Sequence, residues 1–146
     1  MTNNETTILA SLLSLSDKVL SNDLNVDAEI NSINAITANN TNYDSIISDT
    51  IDMLCTDSTK ENYDVVVKIV SGLTSIASNK EVILAILEAN HIDYNDTQAI
   101  SEYVDKALAS TINNFRYYTT VVRMAIVLGD SAKIKSAIDK IQSLGV

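Results

Sequence analysis

The chain has 146 residues, enough for one domain with its own core, and 46% of them are hydrophobic, which excludes general disorder. Ten basic side chains against nineteen acidic ones leave a net charge of −9, a balance that repels bare nucleic acid and anionic membrane. No apolar run reaches the length of a membrane span.

The first residues, MTNNETTILASLLSLSDKVL, lack a basic leader, and serines interrupt their leucines. They read as an amphipathic helix over about residues 5–21 and not as a signal peptide, so an intracellular (cytoplasmic) or virion location is expected. After Asn22-Asp23-Leu24-Asn25, a second helix is marked by Val26, Ile30, Ile33 and Ile36. A third follows on Tyr43, Ile46, Ile47, Ile51 and Leu54. Ser58-Thr59-Lys60-Glu61 and Ser78-Asn79-Lys80-Glu81 have capping-box spacing and open helices over about 59–77 and 79–90. Asn95-Asp96-Thr97-Gln98 is a looser start for a long helix over about 96–128, which Asn113-Asn114 can kink or split. Gly129-Asp130-Ser131 breaks the chain before a last helix that stops at Gly145.

The expected fold is therefore all-α. It is a compact bundle of six to eight helices in a single domain, residues 1–146, with a long central helix near 96–128. Tyr63-x-x-Val66-Val67-Lys68 and Tyr118-x-x-Val121-Val122-Arg123 echo one another. The segment GLTSIASNKEVILAILEAN (72–90) resembles one helix pair of an armadillo-type repeat. It covers a single repeat without that family's usual glycine and proline, so a bundle is expected over a solenoid.

Charge is unevenly spread. Residues 1–73 hold three lysines against eleven carboxylates, whereas residues 74–146 hold seven basic groups against eight acidic ones. This permits contact between copies, from the acidic half to the helix carrying Lys133, Lys135 and Lys140. Asp44, Asp49 and Asp52 form an acidic face for solvent or another subunit.

Catalytic and ligand signatures are missing. The three glycines are isolated, and there is no G-x-S-x-G, H-E-x-x-H or C-x-x-C, so no enzyme and no cofactor are expected. His91 has no second histidine to share a zinc and reads as the end of a helix. Cys55, the only cysteine, reads as a small apolar residue near a helix end. Asp93-Tyr94-Asn95-Asp96-Thr97 has alternating oxygen ligands, but Gln98 stands where a calcium loop needs glycine, and capping is the better use of Asn95 and Asp96.

NNFRYYTTVVRM (113–124) holds both arginines and the only phenylalanine. On a helical wheel Phe115, Tyr118, Val122, Ala125 and Ile126 share one flank, and Tyr117, Val121, Met124 and Leu128 the next. Arg116 and Arg123 fall on the remaining stripe with Thr119 and Thr120. The aromatics are thus expected in the core, with the arginines at its edge pairing with carboxylates of the same chain or a neighbour.

Asn, Ser, Thr and Ile are abundant, lysine is sparse and proline absent, which suits a surface lying mostly within an assembly. The expected role is a non-enzymatic structural or interaction subunit that assembles with itself or a larger complex, in a virion or phage setting. The alternative is an acidic α-helical binding module or inhibitor, antagonising a host factor or mimicking nucleic acid.

Overall fold

Thr2 opens the first helix, α1 (Asn3–Leu20): its hydroxyl accepts from the Glu5 amide at 3.1 Å while the Glu5 carboxylate accepts from the Thr2 amide at 3.3 Å. The computed structural model describes residues 2–76 and 79–145, and among them it contains eight helices and no strand. None of these helices is long and apolar enough to cross a membrane. The chain divides into two compact units, residues 1–80 and 81–146.

In unit 1, α1 ends where Asn22 takes the left-handed conformation (φ 55°) and the Asp23 amide donates back to the Lys18 carbonyl at 2.8 Å. Then come α2 (Asp27–Thr37), α3 (Asp44–Thr56) and α4 (Tyr63–Gly72). Helix α1 packs on the other three. Ile8, Leu12, Leu15 and Val19 of α1 are buried, as are Ile30 and Ile33 of α2, Ile47, Ile51 and Leu54 of α3, and Val65, Val66, Ile69 and Val70 of α4.

The expected start of α4 at Ser58-x-x-Glu61 moves by one residue and the helix begins later. The reciprocal bonds of a capping box are made by Thr59 and Asn62, at 2.7 and 3.3 Å, and Tyr63 is the first helical residue. Asn62 is buried and Glu61 is exposed. At its other end α4 stops at Gly72, whose carbonyl accepts from Asn34 Nδ2 at 2.8 Å.

Unit 2 contains nearly all of α5 (Lys80–Asn90), then α6 (Thr97–Leu108), α7 (Phe115–Leu128) and α8 (Ser131–Ser143). The Ser78 cap expected for α5 lies outside the described residues. The single long helix expected over 96–128 is two helices. Residues 109–114 break it: the Ser110 hydroxyl accepts from the Ile112 amide at 3.0 Å, Ile112 is buried, and Asn114 caps α7 by accepting from the Tyr117 amide at 2.9 Å. Asp96 and Asp130 cap α6 and α8 in the same way, each at 3.1 Å. Gly129 ends α7 in the left-handed region (φ 69°), which only a glycine enters without cost. Helix α7 packs mainly on α8 and α6 around Tyr103, Tyr117, Tyr118, Val121 and Met124. The fully buried Ala137 lets α8 approach closely.

Candidate functional site

Apolar side chains on α1 occupy a wider arc than the core of unit 1 covers. Ile8, Leu12, Leu15 and Val19 are buried, but Leu13 and Leu20 are 68% and 80% exposed, and Leu9 is also exposed. At 100° per residue Leu9, Leu13 and Leu20 lie within about 40° of one another, a stripe about 16 Å long on the side of the helix next to the buried one. Scattered single hydrophobic residues on a surface are ordinary, whereas an aligned leucine row is the form of a contact face. Helix α3 adds Ile46 and Met53, both exposed and seven residues apart on one side of that helix.

Lys18 of α1 pairs with Glu29 of α2. Lys18 Nζ lies 2.7 Å from Glu29 Oε2, which also accepts from the Ser14 hydroxyl at 2.7 Å, and Lys18 donates to the Asn25 carbonyl as well. Burial by itself would push the Glu29 carboxyl up. The bonds from Lys18 and Ser14, with help from its own backbone amide and the lysine charge, bring it below its ordinary value. Its other oxygen, Oε1, is buried without a hydrogen-bond partner among the described residues. The group ties α1 to α2 and fixes the rotation of α1, and with it the direction of the leucine stripe.

The residues singled out by charge are dispersed. Lys133 Nζ is 2.8 Å from Asp105 and 2.9 Å from the Ser101 hydroxyl, and Lys135 is 2.9 Å from Asp139, so two of the three α8 lysines are engaged within unit 2. Lys140 makes no ion pair among the described residues. Arg116 and Arg123 are exposed, and among the described residues neither contacts a carboxylate; Arg123 reaches only the Thr120 hydroxyl, at 3.5 Å. Asp49 and Asp52 are exposed on α3, whereas Asp44 is half-buried at its start, with Oδ1 buried and without a hydrogen-bond partner among the described residues. No group of three or more His, Cys, Asp or Glu is placed to hold a metal among the described residues. His91 follows the last residue of α5 and donates its amide to the Glu88 carbonyl at 3.1 Å, and Cys55 is half-buried in the last turn of α3.

The wheel expected for α7 is corrected in part. Tyr117, Tyr118, Val121, Met124 and Ala125 are buried, but Phe115 and Ile126 are half exposed, and Thr120, expected beside the arginines, is buried. Thr120 donates to the Arg116 carbonyl at 3.1 Å, so its hydroxyl is satisfied inside the helix and its methyl can face the core. Phe115 and Ile126 lie on the flank that α6 and α8 leave open. Sequence reasoning found the apolar arc of α1 but did not say which flank of it stays uncovered. The signal was the width of that arc, since four packed helices bury only part of it. No family model, no curated protein and no solved structure matches the chain.

Proposed function

We propose that the protein is a non-catalytic interaction subunit that associates with a second copy of itself through the leucine stripe of α1. The observation that carries this reading is the alignment of exposed Leu9, Leu13 and Leu20 on a helix whose rotation is held by the Lys18–Glu29 pair. A straight apolar row on one helix is self-complementary, so two copies can pair about a two-fold axis. Burying one such leucine contributes about 1.5–3 kcal/mol. Composition rich in Asn, Ser and Thr, with sparse lysine, suits a large protein assembly, and a virion or phage particle is the setting we propose.

Size-exclusion chromatography with light scattering tests the reading. The wild-type chain is expected to be dimeric or larger, and Leu13→Glu to weaken association by about tenfold or more with an unchanged helical spectrum. A wild-type protein that stays monomeric at high concentration would sink the proposal, as would a Leu13→Glu variant that associates like wild type.

The competing reading, an acidic binding module, is supported by the four lysines against eleven carboxylates in unit 1. It predicts a monomer whose partner is basic and whose binding weakens with salt.

A further inference from the structure

Unit 2 contains a cleft that the interaction reading does not use. It lies between α5, α6 and the start of α7, with a volume of about 290 Å³. That is the lower end of small-molecule sites and room for about ten waters at ~30 Å³ each. We infer that this cleft binds a small organic cation with an apolar body, its ammonium held by Glu81 and Glu88 and its body seated against Tyr103, Tyr117 and Ile112.

The lining decides the charge of the ligand. Glu81 and Glu88 are seven residues apart, so both project from one side of α5. Lys106, the only cation of the lining, lies 3.4 Å from Glu88 and offsets that carboxylate. Glu81 has no ion pair among the described residues, which leaves the cleft with one uncompensated negative charge. An anion would meet two carboxylates and a lysine already engaged.

The aromatic wall favours the same class of ligand. The Tyr103 hydroxyl donates to the Ala85 carbonyl and shares a hydrogen bond with Tyr117, so both hydroxyls are committed and the rings are what the cleft offers. The rings meet edge to face, with centroids 6.5 Å apart and planes at 68°. Tyr103 and Tyr117 are only 5% and 4% exposed, so they offer the cleft a narrow apolar contact for the ligand's body while the ammonium stays at the carboxylates. The negative field reaches the wall. Burial first and then Tyr118 push the Tyr117 hydroxyl above its ordinary range, the hydrogen bond with Tyr103 opposes them, and the charges of Glu88 and Glu81 add smaller upward pushes.

The test is a ¹H–¹⁵N NMR titration of the full chain with phenethylammonium chloride, with neutral 2-phenylethanol and anionic 3-phenylpropionate as matched probes. Saturable shifts are expected at Tyr103, Ile112 and Tyr117, with the cation binding about tenfold more tightly than the alcohol and the anion not at all. Glu81→Gln should weaken cation binding by about the same factor. Lys106→Met should strengthen it by freeing Glu88, a gain that damage to the fold cannot mimic. The proposal is overturned if the cation gives no saturable shifts or gives them elsewhere. Equal binding of cation and alcohol, or unchanged cation affinity in both variants, would overturn it too.

Discussion

Glu29 counts as polar in any hydropathy pattern, yet its side chain is only 10% exposed, against 23% for its partner Lys18. Removing one partner of such a pair leaves the other charge with nothing to offset its lost hydration. Lys18→Met is therefore expected to destabilise the chain by about 1–3 kcal/mol near neutral pH, read from urea unfolding. The pH dependence follows from the lowered Glu29 carboxyl. The stability that this group contributes is present above its unfolded value, about 4.3, and is lost as pH falls through the lower folded value. Wild type and variant should thus converge in acid, once the carboxyl is protonated in both. A gap that stays constant down to the acid transition would assign the loss to packing of the lysine stem instead. This burial was not legible in the sequence, because Asp27-Ala28-Glu29 has no feature that marks its glutamate as the one turned inward. The cap at Asp96 was legible, since it sits just before an amphipathic run, whereas Asp130 was read only as part of a chain break.

Pairs of helices are set by equally small features. A Cβ added at Gly72 would lie 3.0 Å from both Cδ1 and Cγ2 of Ile30, so the glycine sets how closely the end of α4 approaches α2. Asn34 of α2 secures the same junction. It donates to the Gly72 carbonyl at 2.8 Å, and its Oδ1 accepts from the Thr74 amide and hydroxyl at 3.1 and 3.2 Å. Gly72→Ala should cost about 1–3 kcal/mol by displacing Ile30, although alanine is the better helix former, and thermal unfolding would measure it. An unchanged or raised melting temperature would mean that Ile30 yields freely. Helical periodicity revealed the existence and type of these elements because apolar spacing depends on the chain's own geometry. It could not show which flank of α1 or α7 a neighbour covers. Leu13 has the same hydropathy as the buried Leu12, and the exposed Phe115 is more apolar than the buried Tyr118. The 109–114 break was only half legible: Asn113-Asn114 marked the place, but the turn also needs Ser110 and Ile112.

Across the chain, buried aromatics belong to one unit. Tyr103, Tyr117 and Tyr118 are buried in unit 2, while Tyr43 and Tyr63 of unit 1 are half-buried. Burial pushes the hydroxyls of Tyr117 and Tyr118 above their ordinary range. The linkage then works against the fold in alkali: the stability these groups contribute is intact below the unfolded value of about 10 and is lost as pH rises through the higher folded values. Unit 2 is expected to unfold in alkali before unit 1. Phenolate absorbance should rise in two stages, the second coinciding with loss of part of the helical signal. A single stage with helicity intact would contradict this.

The same placement makes the protein its own optical instrument. There is no tryptophan, so the aromatic circular dichroism of the native chain is dominated by tyrosines in fixed, asymmetric surroundings. The rings of Tyr117 and Tyr118 are 5.1 Å apart at 56°, and Tyr103 lies edge-on to Tyr117, a coupled set of chromophores within residues 81–146. The far-ultraviolet band sums the helices of both units. A single spectrum therefore contains two clocks, one for the whole backbone and one for the packing of a single half, without any label being attached.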